Sequence, residues 1–258
     1  PAIAVRDGHA FVGTREGLLA VDVTDPLRPQ PRGHALLPEA PEAVVLDADR
    51  AYAATGWFIW PGTVSAVDIA VPDVPVRLGT AATGGGLESL AGHSARAWVS
   101  SLFSDLPGDS PWEHERLLAF DFADPGQPRT VGPFERPGTL VFVGDLLYVF
   151  DSQALRVLDV TDIDQPHPVT SLPFAQAITA TAVVGHVLFA GGRGALFAFD
   201  VADPRAPVPI DLSLAGVGAE RLAAEDACLF ALTDAGTPDG QLATIDVSAP
   251  SQPRVVGR

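Results

Sequence analysis

Three glutamates share one repeat position. Glu42, Glu88 and Glu220 each lie ten residues before an aromatic residue, Tyr52, Trp98 and Phe230 respectively. Carboxylates brought together attract a divalent cation or an arginine. A cation held by Glu42, Glu88 and Glu220 is therefore one chemistry to expect; solvated strand ends paired with Arg136 or Arg221 are the other. A second chemistry is that of aromatic loops. The segment Gly56-Trp57-Phe58-Ile59-Trp60-Pro61-Gly62 sets two tryptophans and a phenylalanine between glycines. A second insert, 104–115, carries Trp112 and His114. Exposed aromatic groups of this size are costly in water and dominate binding hot spots. Standard catalytic signatures are missing. There is no Gly-x-Ser-x-Gly, no phosphate-binding glycine loop and no His-Glu-x-x-His; His114-Glu115-Arg116-Leu117-Leu118 lacks the second histidine. No catalytic residue and no cofactor beyond that cation are assigned.

The whole chain sets bounds on these readings. It has 258 residues and a net charge of −16, with every one of its 16 basic residues an arginine. That charge repels phosphate and excludes a basic nucleic-acid binder. No run of about 18 apolar residues exists, so no membrane span is expected. The single Cys228 excludes an internal disulfide framework. A chain starting at Pro1 reads as a mature, trimmed or partial product, from which any signal peptide would be gone. The bias against Lys, Asn and Met points to a high-GC bacterium.

The elements that would position these residues repeat six times. Asp22, Asp68, Asp121, Asp159, Asp200 and Asp246 each sit between apolar residues, with a proline seven positions on. A further proline stands four positions on in five copies, and Ile163 takes its place in the fourth. Spacings between anchors are 46, 53, 38, 41 and 46 residues. An aromatic precedes each anchor: Phe11, Tyr52, Trp98, Tyr148, Phe189 and Phe230. The interval from aromatic to anchor is 11 residues in repeats 1, 4 and 5, 16 in repeats 2 and 6, and 23 in repeat 3. Length variation thus sits in one loop, which includes a polar insert, 233–240, in repeat 6.

Each unit divides into four short strands between turn signals. The third is apolar on both faces, with Leu18, Val64, Leu117, Leu155, Leu196 and Leu242 at one position. Val21, Val67, Phe120, Leu158, Phe199 and Ile245 occupy another, of opposite parity. A strand apolar on both faces must be covered on both, as in radially stacked sheets. With 24 prolines and no sustained 3.6-residue period, helices are excluded. The expected fold is an all-β, six-bladed β-propeller with four antiparallel strands per blade. The blades are sequential, without strand exchange between the termini. One domain, 1–258, is expected, with blades of about 1–37, 38–82, 83–134, 135–173, 174–214 and 215–258. The anchor aspartates are read as structural, accepting backbone N–H groups in a proline-containing turn. Gly84-Gly85-Gly86 reads as a flexible blade link. The inserts and the three glutamates would meet at the mouth of a central channel.

Val21-Asp22-Val23-Thr24-Asp25-Pro26 and Leu155-Arg156-Val157-Leu158-Asp159-Val160-Thr161 resemble the LVIVD repeat, and Ala10–Val12 and Ala51–Ala53 resemble its preceding strand. The turn Ile69-Ala70-Val71-Pro72 departs from it by lacking the polar pair. The resemblance implies a secreted, periplasmic or surface-exposed bacterial protein, mostly of a kind without assigned activity. The function expected is a non-catalytic binding or scaffold module that takes a protein or carbohydrate partner. Its site residues are Trp57, Phe58, Trp60, Trp112, His114, Glu42 and Glu88. A metal-assisted hydrolase or lactonase with a carboxylate-lined channel is the alternative, and a structural domain of a larger envelope assembly is the third.

Overall fold

The computed structural model describes residues 2–56, 62–103, 114–134, 136–192, 194–211, 218–233, 240–249 and 252–257. Six four-stranded antiparallel sheets follow one another along the chain, each with its strands in sequence order. Blade 1 consists of Ile3–Arg6, His9–Thr14, Gly17–Asp22 and Gln30–Leu36. Blade 6 consists of Arg221–Glu225, Cys228–Thr233, Gln241–Asp246 and Arg254–Gly257. Each terminal sheet is therefore complete by itself, and among the described residues no strand is exchanged. Blades 1–3 form one compact unit, Pro1–Pro137, and blades 4–6 another, Gly138–Arg258. Among the described residues, no helix is long and apolar enough to cross a membrane.

Packing within each unit follows the repeat. The aromatic is the third residue of every second strand, and Phe11, Tyr52, Trp98, Tyr148 and Phe189 are at most 2% exposed. Phe11 and Leu18 pack with Val44 and Ala53 of the next blade. Tyr52 and Val64 pack with Val99 and Phe120, and Tyr148 and Leu155 with Leu188 and Phe199. Full burial of side chains of this size stabilises by about 1.5–3 kcal/mol each. Blade 6 differs from this pattern. Ala243 and Ile245 pack against blade 5, but Leu242, on the other face, is 53% exposed, against 0–7% for its five equivalents.

The anchors close one end of every blade. In all six, the carboxylate accepts the backbone N–H two residues on: Thr24, Ala70, Ala123, Thr161, Ala202 and Ser248, at 2.9–3.1 Å. Asp25, Asp124, Asp162 and Asp203 repeat the device one step further along. These N–H donors lie at the surface. The Thr24 hydroxyl, followed by Arg32 at 2.7 Å, holds the Asp22 carboxyl well below the ordinary carboxylate range. Neighbouring blades also interlock through glycine. A Cβ at Gly33 would run into the Asp73 carbonyl of blade 2, and one at Gly79 into the Pro125 carbonyl of blade 3.

Candidate functional site

The opposite end of each blade gathers the loop between strands two and three, the end of strand four and the start of strand one. In blade 1, the Gly13 N–H donates to the Ala2 carbonyl at 2.8 Å and the Leu37 N–H to the Glu16 carbonyl at 3.2 Å. The loop here is short in blades 1, 4 and 5: residues 15–16, 151–153 and 193–194. It spans 55–62 in blade 2, 104–113 in blade 3 and 234–240 in blade 6. The second and third strands of blade 3, Arg96–Phe103 and His114–Asp121, also continue two rungs further than those of blade 1. The sequence placed its variation at this edge, and the strand register places the loops there.

The blade 2 insert springs from a buried clasp. Thr55 and Thr83 are 4% and 1% exposed. The Thr55 N–H donates to the Thr63 carbonyl at 2.8 Å, and the Thr63 N–H returns to the Thr55 hydroxyl at 2.9 Å. That hydroxyl also lies 2.9 Å from a carboxylate oxygen of Glu39, in the link from blade 1. The Thr83 N–H donates to the Gly62 carbonyl at 2.9 Å, and the Leu87 N–H of blade 3 to the Gly56 carbonyl at 2.7 Å. Both glycines are required. Gly56 has a φ of +130°, and a Cβ at Gly62 would collide with the Thr55 carbonyl. The expected flexible link Gly84-Gly85-Gly86 is instead packed: Gly85 and Gly86 are buried, and the Gly85 carbonyl accepts the Thr83 hydroxyl at 3.0 Å. Small residues let the link lie against the base of the insert.

Thr55 occupies a repeat position that sequence reasoning overlooked, three residues after the aromatic. Its equivalents are Thr14, Ser101, Asp151, Gly192 and Thr233. Thr14 and Thr233 hydroxyls reach the carbonyls of Gly17 and Gln241 across their loops. Asp151, 8% exposed, does most. It accepts the N–H groups of Gln153 and Ala154, each at 2.7 Å, and the Arg156 guanidinium at 2.6 Å. Burial opposes its ionisation, but Arg156 and the two backbone donors outweigh it and hold the carboxyl below its ordinary 3.8. Ser101 Oγ, by contrast, is buried and finds no hydrogen-bond partner among the described residues. The run of Thr, Ser and Asp at this position is visible once the aromatics are aligned.

Of the expected site residues, Trp57, Phe58, Trp60 and Trp112 lie outside the described residues, as does the His114 side chain. Glu42 and Glu220 each stand one residue before a first strand, Ala43–Asp47 or Arg221–Glu225. Their N–H groups donate to the Ala54 and Leu232 carbonyls. Glu88 lies within its strand, at a β-bulge opposite Ser100 and Ser101. A bulge re-aims a side chain, and Glu88 accepts the Ser100 hydroxyl at 3.0 Å. Glu42 and Glu88 belong to the first unit and Glu220 to the second. Among the described residues, no three His, Cys, Asp or Glu side chains are grouped to hold one metal ion.

Comparison with known proteins accords with this architecture. A functionally unknown protein from Desulfotomaculum acetoxidans is similar with a TM-score of 0.69 at 8% identity, over 97% of this chain and 79% of that one. A protein from Lactobacillus plantarum gives 0.67 at 14% identity, over 98% and 82%. The periplasmic gluconolactonase of Pseudomonas aeruginosa gives 0.66 at 15% identity, also over 98% and 82%. At such identities the likeness is one of fold alone. No curated protein matches the sequence. The LVIVD repeat profile matches residues 2–32 and 236–258. These segments hold the anchors Asp22 and Asp246, and the same Asx turn closes all six blades. The LVIVD repeat is thus matched in the first and last of the six four-stranded blades of a β-propeller fold.

Proposed function

We propose that the protein is a non-catalytic binding module that takes a cationic segment of a protein partner on the aromatic inserts of blades 2 and 3. The observation that carries this reading is the clasp. A loop with two tryptophans and a phenylalanine leaves from a buried, hydrogen-bonded base, and the Gly56 carbonyl in that base ties it to the strand that bears Glu88. Preorganised loops lose less entropy on binding. Aromatic faces beside carboxylates suit arginine and lysine. Trp57, Phe58, Trp60, Trp112 and His114 supply the apolar contacts, and Glu42 and Glu88 the charge. The six anchor aspartates are assigned to the turns. In this reading the module works in the secreted or surface-exposed fraction of a bacterium, the periplasm included. The hydrolase alternative, with a cation on Glu42, Glu88 and Glu220, draws no support from the ligand grouping described above.

The test is calorimetric titration with a nona-arginine peptide. Trp57→Ala or Trp112→Ala should weaken binding by about 2 kcal/mol, the scale of a hot spot, with the thermal midpoint little changed. If both variants bind normally but melt early, the inserts are packing and the reading fails. Binding of neutral oligosaccharides instead of the peptide would move the partner to the carbohydrate class.

A further inference from the structure

We infer that the chain associates head to tail with a second copy of itself, the back face of blade 6 in one copy seating on the front face of blade 1 in the other. The joints inside the two units show what each face requires. A back face offers its aromatic and the apolar residue beside it, and the front face of the following blade covers them. Phe11 and Leu18 are covered by Val44 and Ala53. Tyr52 and Val64 are covered by Leu90 and Val99, and Phe189 and Leu196 by Leu229 and Ala231.

Blade 6 carries a back face without that cover. Leu242 is more than half exposed, and Phe230 and Thr244 are half-buried, where their counterparts in blades 1–5 are buried. A hollow on this face is lined by Gln241, Leu242, Thr244 and Gly257. Blade 1 carries the complementary half. Ile3 stands opposite Val12, as Val44 stands opposite Ala53 and Leu90 opposite Val99. Val44 and Leu90 are buried, but Ile3 is 63% exposed and Val5, on the same face, 59%. The two faces are therefore the unused back and the unused front of a joint that the chain makes repeatedly within itself. A second copy is the occupant because this chain itself bears the front face that fits. Uncovered apolar faces of this kind mark interaction surfaces, and pairing two different faces gives a heterologous contact. Thr244 stands where blades 1, 2 and 5 have Ala20, Ala66 and Ala198. That makes the blade 6 face less apolar than an internal joint, as suits a surface that is wet before association. Both faces lie on blades other than those that bear the aromatic inserts, so association and partner binding are read separately.

The experiment is sedimentation equilibrium across a range of protein concentrations, on the parent chain and on Leu242→Glu and Ile3→Glu. The parent's average mass should rise above the monomer's as concentration increases. Each variant alone should associate about tenfold more weakly or not at all, the scale of losing a central contact. A mixture of the two should form a one-to-one complex and nothing larger, because one variant keeps the blade 1 face and the other the blade 6 face. Leu27→Glu, in the exposed anchor turn of blade 1, adds the same charge off both faces and should associate like the parent. Leu242→Thr replaces the glutamate variant if that one melts early. A parent that stays monomeric at every concentration overturns the inference. Association that survives Ile3→Glu but not Leu242→Glu means that two blade 6 faces pair with each other, and overturns the head-to-tail arrangement. So does a mixture that forms no complex.

Discussion

Blades 2 and 4 solve one problem in two ways. Each has a tyrosine third in its second strand, Tyr52 or Tyr148, and a polar residue three positions on, Thr55 or Asp151. In blade 4 the loop is three residues long, and a buried carboxylate gathers two N–H groups and a guanidinium around it. In blade 2 the loop is eight residues long, and a neutral hydroxyl joins its two ends to a distant link. The tyrosines differ as well. Tyr148 donates to the Pro204 carbonyl of blade 5 at 2.6 Å. The Tyr52 hydroxyl is buried beside Arg50 and reaches no such carbonyl among the described residues. Blade 4 turns its tyrosine across to the next blade, whereas blade 2 spends its bonds at the base of an insert. A repeat position thus specifies where a fastening occurs, and the local residue decides what it fastens.

The sharpest way to test this contrast is to remove Asp151. Asp151→Ala strands Arg156 and two backbone donors, and should destabilise by about 3 kcal/mol, since bonds to a charged group are the strong ones. Chemical denaturation followed by far-ultraviolet circular dichroism would measure it. A loss no larger than that of Thr55→Val would erase the distinction between the two fastenings. The contrast also has a pH signature. The folded Asp151 carboxyl titrates below its ordinary 3.8, so its contribution is complete above the unfolded value and is lost as pH falls through the folded one. The stability gap between the parent protein and Asp151→Ala should be full above about pH 5 and close in stronger acid. A gap that stayed constant to pH 2 would mean the carboxylate charge contributes nothing. Smaller effects come from the tyrosines, whose phenols burial pushes up to about 12. Tyr148→Phe should cost about 1 kcal/mol, one buried hydrogen bond with its acceptor left unpaired. Tyr52→Phe removes a hydroxyl that reaches no carbonyl of the next blade among the described residues, and should cost less. Equal losses in the two would show that the Tyr52 hydroxyl is held as firmly as that of Tyr148.

Much of the frame was legible in the sequence because the repeat states it six times. Asp22 and its five counterparts, the third-strand apolar pairs and the aromatics ahead of them follow from spacing and parity alone. The candidate site was legible only as loop length. Glu39 was invisible because it acts from a link that has no repeat register, and only folding brings it to Thr55. Glu88 was counted into line with Glu42 and Glu220, but one bulge residue puts it on a different footing. Periodicity cannot register such an insertion, since a bulge changes pairing without changing the order of residue types. The N–H partners of the anchors lie at the surface, because they sit in the turn rather than in the strand. The contrast between Tyr52 and Tyr148 depends on how one blade seats against the next, which a single chain of letters does not encode.

The base of the blade 2 insert also amounts to a socket. Gly56 and Gly62 are held by their own carbonyls, which accept from Leu87 and Thr83. Extending a loop whose ends are already joined costs little chain entropy, about 0.6 kcal/mol for each doubling of its length. Foreign peptides grafted between these glycines should therefore leave the blade folded and be displayed from a rigid stem. The blade 2 hairpin is in this sense a ready scaffold for loop libraries, with variation confined to the segment that natural length changes already use.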